Sequence, residues 1–174
     1  MQTRNLFLVS IVSSAVLAAL AGCGKSPSQS AAEAMVSAAT GGKVNVSQSG
    51  DNTTMTVKDD KGNEIHMNAG GNVALPKDFP SDVHLPASYT IKTAINAPGG
   101  IVLEMHTPAA MQAVYSDYDA SMKSGGWTEA MAMQTSDKES MLNFTKGERN
   151  VVVSIVAAGE GGTDVHLQAA TAAK

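Results

Sequence analysis

The chain has 174 residues, a net charge of −4 and a single cysteine, a length that fits one domain of ordinary size. A mildly acidic chain without a Lys/Arg cluster lacks the electrostatic footprint of a nucleic-acid binder, and one cysteine leaves no intramolecular disulfide, so burial alone must stabilise the fold. With 4% aromatic residues against ten methionines, the core is expected to be aliphatic, with methionines filling its irregular gaps.

The amino terminus MQTRN carries Arg4 and precedes the apolar run Leu6 to Leu20. That run fits a secretory h-region and falls short of the roughly 20 residues that a membrane-spanning helix needs. Leu20-Ala21-Gly22-Cys23 then resembles the lipobox of bacterial lipoproteins at all four positions. The resemblance implies a lipoprotein signal peptide over residues 1–22, cleavage between Gly22 and Cys23, and a diacylglycerol on the Cys23 thiol. Each buried acyl CH₂ contributes about 0.8 kcal/mol, so two or more chains hold a protein on a membrane. Gly24 stands where an aspartate would favour inner-membrane retention in the enterobacterial sorting pattern. The implied location is therefore the cell envelope, lipid-anchored at the outer membrane and facing the periplasm.

Residues 23–30 are small and polar with one proline and read as a tether. Residues 31–174 are expected to form a single α+β domain. Its first part, 31–72, combines a short Ala-rich helix over Ala31 to Gly42, with Ser30 as N-cap, and a small β-meander. In the meander Val44 and Val46, Met55 and Val57, and Ile65 and Met67 alternate with polar residues between G-D-N and D-K-G-N turns. The stretch 73–86 contains Pro76, Pro80 and Pro86, which deprive it of three backbone donors, and reads as an extended connector.

The last part, 87–170, reads as a ββαββββ module. SYTIKTAI and IVLEMH are strands, and Thr107-Pro108 looks like an N-cap followed by proline at the first helical position. Met111, Val114, Tyr115, Tyr118 and Met122 make one apolar stripe on a helix of about 17 residues that stops at Gly125-Gly126. WTEAMAMQ, ESMLNFT, NVVVSIVAA and TDVHLQAA are the remaining strands. The fold class read from this order is α+β, an antiparallel sheet with one long packed helix, preceded by the short helix and the small meander. FPSDVHLP, the V-Y-x-x-Y helix and the closing GGW together resemble a module of uncharacterised bacterial lipoproteins, in which an F-P-x-D-V-P-L-P segment precedes a helix ending in G-W. His84 replaces the proline of that pattern. The resemblance implies a fold and a location and brings no activity.

No catalytic motif is present: there is no G-x-S-x-G, S-x-x-K, H-E-x-x-H or P-loop. Gly159 to Gly162 reads as a hairpin turn, His84 as a loop residue. Asp117 and Asp119, two apart on a helix, point away from each other and read as a solvated face. His66, His106 and His166 have parity opposite to their apolar neighbours, so they would meet over Zn²⁺ or Cu²⁺ only if their strands were adjacent. His66-Met67 and Met105-His106 face opposite sides of a strand and cannot chelate as pairs. Met131 and Met133 share the parity of Trp127, which places them in the core. The expected role is non-enzymatic: a lipid-anchored envelope protein that binds or assembles with an envelope protein partner, without metal or cofactor. Its alternatives are a periplasmic Zn/Cu-binding lipoprotein and an envelope enzyme with an unrecognised site. Cys23, the lipidation site and membrane contact, is the only site residue assigned.

Overall fold

Stretches of alternating apolar and polar residues become strands. The computed structural model describes residue 37 and residues 42–58 and 62–170. Among these, the strands are β1 (Lys43–Ser49), β2 (Asn52–Lys58), β3 (Glu64–Ala69), β4 (Thr90–Ala97), β5 (Gly100–Thr107), β6 (Thr128–Ser136), β7 (Glu139–Lys146), β8 (Arg149–Ala157) and β9 (Thr163–Ala170). One described helix of any length, α1 (Met111–Ser124), interrupts them. All nine strands join in one antiparallel sheet of order β1-β2-β3-β4-β5-β9-β8-β7-β6.

This overturns the expected fold class, in which a short helix and a small meander precede an antiparallel sheet with one long packed helix. β3 pairs with β4 from His66–Asn96 to Ala69–Thr93, so the first three strands extend the sheet of the other six. A lone meander leaves both edges with unpaired N–H and C=O groups, and β4 supplies partners for one of them. The signal peptide, Cys23 and the tether lie outside the described residues, as does the expected short helix apart from Ser37 and Gly42.

Within the one sheet the apolar face changes sides. Leu103 on β5 and Leu167 on β9 point toward α1 and are fully buried, as are Phe144, Val153 and Ile155 on β7 and β8. Through the cross-strand pairs Leu103–Ala94 and Ala94–Asn68, the same face continues on β3 and β2 as Asn68, His66, Thr54 and Thr56. The apolar residues of the first strands, Val46, Met55 and Met67, fall in register with Ile95 and Val102 on the opposite face. We call this face, away from α1, the outer face.

The helix lies across β6, β7 and β8 and buries Met111, Val114, Tyr118 and Met122. It is shorter than expected at its start. Thr107 ends β5, paired with Thr163, and its hydroxyl accepts from the Ala109 amide at 3.3 Å, so Ala110 becomes the N-cap without a side-chain bond. At the other end Gly126, with φ +79°, donates to the Lys123 carbonyl, and Trp127 donates to that of Met122. This is a Schellman stop, which needs a left-handed residue that glycine supplies without a Cβ clash, and it returns Trp127 to the core.

Beyond Trp127 the parity argument fails for a local reason. The β6–β7 register shifts between Glu129 and Met131, and one extra residue in a strand reverses every side chain after it. Met131 and Met133 are therefore 41% and 45% exposed rather than in the core, whereas Met105, Met111 and Met122 are buried.

The connector is folded rather than extended throughout, with turns closed by Phe79 N–H to Pro76 C=O and Val83 N–H to Pro80 C=O. Val73 and Val83 enter the helix-side core, and Phe79 and Leu85 pack against it. Asp82 fixes its position. Its carboxylate accepts from both terminal nitrogens of Arg149 at 2.8 and 2.6 Å and from Lys146 at 2.9 Å. Its carbonyl accepts from the Trp127 indole at 2.9 Å, and the Arg149 guanidinium stands 4.8 Å from the indole ring.

The Arg149 hydrogen bonds, with Lys146 adding to them against the cost of burial, hold the Asp82 carboxyl well below the usual carboxylate range. Depressed in the folded state, it contributes stability that is fully present above about pH 4, the unfolded value, and is lost as pH falls toward its folded value. Because about a third of each partner is exposed, the discounted effect of Asp82→Ala is a loss of about 2 kcal/mol at neutral pH. Urea unfolding should show that difference at pH 7 and a smaller one near pH 3.

Candidate functional site

Two concave regions differ in chemistry. The first, a depression of about 250 Å³ on the outer face, is lined by Lys92, Glu104, Ser154, Val156, Asp164 and His166 among others. Antiparallel register sets Glu104 opposite His166 and His106 opposite Asp164. Asp164 takes His106 and Lys92, each at 3.0 Å; these hydrogen bonds, His106 first, hold its carboxyl below the usual range. The His166–Glu104 separation is 3.6 Å.

Ser154, His166 and Glu104 thus lie in one row across β8, β9 and β5, and the row is not a nucleophilic triad. No hydrogen bond joins Ser154 to His166, and the surrounding amides pair within the sheet, leaving no convergent donors for an oxyanion. The histidines do not assemble a metal site either. His66 lies on the helix-side face, bonded to Thr56 at 3.2 Å, while His106 and His166 occupy the outer face. Among the described residues no group of three or more His, Cys, Asp or Glu could hold a metal ion.

The second region is a cleft of about 450 Å³ between the end of the connector and the start of α1. Pro86, Ala87 and Ser88 form one wall, Thr107 to Ala109 the floor, and Ala113, Val114 and Asp117 the other wall. Its sequence origin is plain. Pro86 and Pro108 cannot donate to a ladder, and Ala87, Ala109 and Ala113 are too small to fill the space that results.

Its polar groups are few. Asp117 accepts from His84 at 2.8 Å and from Ser121 at 3.3 Å. His84 in turn sits edge-on to Tyr118, with ring centroids 5.2 Å apart, and its amide points at the Met122 sulfur. The loop histidine read from sequence is therefore a packing element of the cleft wall. Asp119 is turned away, paired with Lys123 at 2.6 Å, so the two aspartates are separate, as their helical spacing requires.

Tyr118 is fully buried, and its hydroxyl has no hydrogen-bond partner among the described residues. Burial, with the Asp117 carboxylate and Tyr89 adding, pushes its phenol upward. No sequence signal marks such a group, because its orphan state depends on what packs around the helix.

Size and lining separate the two regions. Ligand sites ordinarily span about 300 to 1,000 Å³ and are mostly apolar with a few placed polar groups, a description that the cleft meets and the outer depression does not. A family model described as START domain-like matches residues 89–164, a span that contains the cleft floor and its helical wall. That likeness supports a ligand-binding role. No curated protein and no solved structure matches the chain.

An unpartnered buried hydroxyl costs about 1 to 3 kcal/mol. Tyr118→Phe, which removes it at nearly constant volume, should raise the unfolding free energy by about 1 kcal/mol in denaturant titration.

Proposed function

We propose that this chain is a lipid-anchored protein of the cell envelope, facing the periplasm, whose folded part binds a small apolar or amphipathic ligand without transforming it. The observation that carries the reading is the apolar cleft, whose floor and helical wall lie within the START-like region. Pro86, Val114 and the alanines supply apolar contact, and Asp117 and Ser88 at the margin orient a polar end of the ligand. The anchor rests on Leu20-Ala21-Gly22-Cys23 after its apolar run. A short tether from such an anchor would hold the cleft at high effective concentration near membrane-derived ligands and envelope partners.

Two experiments test this. Ala113 is exposed in the cleft wall, so Ala113→Trp should fill the space without disturbing the core. Titrated with an environment-sensitive fluorescent fatty acid, the chain from Lys25 onward should bind saturably, and the variant about tenfold or more weaker. Equal affinity would overturn the cleft reading. For the anchor, labelled palmitate should enter the full chain expressed in a bacterial host and fail to enter Cys23→Ala; undiminished labelling of the variant would refute it.

A further inference from the structure

We infer that the thioethers of Met131, Met133 and Met141 form a binding site for a soft monovalent cation, Cu⁺ or Ag⁺, on the outer face at the β6 edge of the sheet. The site is separate from the cleft and does not depend on it.

Three observations place these side chains together. The shift between Glu129 and Met131 turns Met131 and Met133 onto the outer face. Register then sets Met133 directly opposite Met141 and Met131 opposite Asn143, the neighbour of Met141 on that face. Met141 alternates with the fully buried Leu142, so it too points outward, and no regular shift separates Met131 from Met133. Directly opposed residues have Cβ atoms about 4.5 to 5.5 Å apart, and alternate residues on one strand about 6.8 Å. Three unbranched side chains with three rotatable bonds each can converge their sulfurs from those positions.

The exposure itself calls for a role. Methionine is among the residue types most often buried, yet Met131 and Met133 are two of the most exposed large apolar residues described. They sit on an edge strand, β6, where a large exposed apolar side chain invites unwanted strand pairing. Edge strands are ordinarily blunted with charge, and the Met131–Met133 segment carries none.

Chemistry selects the ion. Neutral thioethers are soft ligands that suit Cu⁺, whereas Zn²⁺, Mg²⁺ and Ca²⁺ favour imidazole or carboxylate. On this face Glu139 and Asn143 flank Met141 along β7 and Ser154 stands opposite it on β8, so the directly opposed positions hold no carboxylate or imidazole and Glu139 is the one carboxylate beside the thioethers on β7. Ag⁺ shares the ligand preference and is stable in air, which makes it the probe.

The full chain in detergent, with its methionine ε-methyl carbons labelled, is titrated with Ag⁺ and separately with Zn²⁺. The expected result is saturable Ag⁺ binding that moves the Met131, Met133 and Met141 methyl signals together. Replacing all three with leucine, which keeps the apolar surface and removes the sulfur, should weaken binding about tenfold or more. Met55 and Met67, an opposed pair on the same outer face but with four or more strands between them and β7, serve as the control: M55L/M67L should bind as the natural chain does. Absence of saturable Ag⁺ binding, or unchanged affinity in M131L/M133L/M141L, overturns the assignment. So does a loss confined to M55L/M67L.

Discussion

The carboxylate of Asp82 joins three parts of the chain that no local interaction connects. Arg149 and Lys146 belong to the β7–β8 hairpin, Trp127 to the exit of the helix, and Asp82 itself to the proline-rich connector. The two cations stand over one aromatic ring and share one anion, so removing the anion leaves two positive charges side by side over an indole. Bidentate pairing of a guanidinium with a carboxylate fixes direction as well as distance. That direction decides where the connector runs, and the connector covers the part of the sheet that α1 does not reach.

The cleft inherits its shape from this arrangement. Four residues after Asp82 the chain reaches Pro86, which opens the cleft wall, and between them His84 is held to Asp117 at 2.8 Å. The connector is thus tied to the helix at two points, by Asp82 beside its C-terminal turn and by His84 at its middle. A cleft built between two segments pinned in this way is preformed, so little ordering has to accompany the arrival of a ligand.

The inversion of the apolar face has a different consequence. One helix can cover one side of a sheet, and α1 covers the side presented by β6, β7 and β8. On β1 to β3 the apolar residues face the other way, while Thr54, Thr56, His66 and Asn68 occupy the helix side, with Thr54 donating to Asn68 at 2.9 Å. The sheet is continuous in its hydrogen bonds and discontinuous in its hydrophobic pattern. A reading of pattern alone divides it at that discontinuity, which is how a small meander ahead of the main sheet suggests itself. The bulge before Met131 is a smaller case of the same effect: a single added residue exchanges the faces and moves two methionines from an expected core into solvent.

Several features were legible in the residues themselves. Alternation located the strands, the stripe from Met111 to Met122 located the buried face of the helix, and Gly125-Gly126 located its end, because these depend on side-chain periodicity and backbone conformation within a few residues. The opposed faces of His66-Met67 and Met105-His106 follow from the same local geometry. Other features required the tertiary structure. The joining of β3 to β4 across the connector is a long-range backbone pairing that no turn announces. Thr107 could cap a helix or end a strand, and its pairing with Thr163 on β9 decided for the strand. The cleft, the orphan hydroxyl of Tyr118 and the methionine cluster arise where segments distant in sequence pack or pair. Period and turn chemistry are properties of neighbouring residues, whereas registers, bulges and cavities are set by the partner that each segment finds.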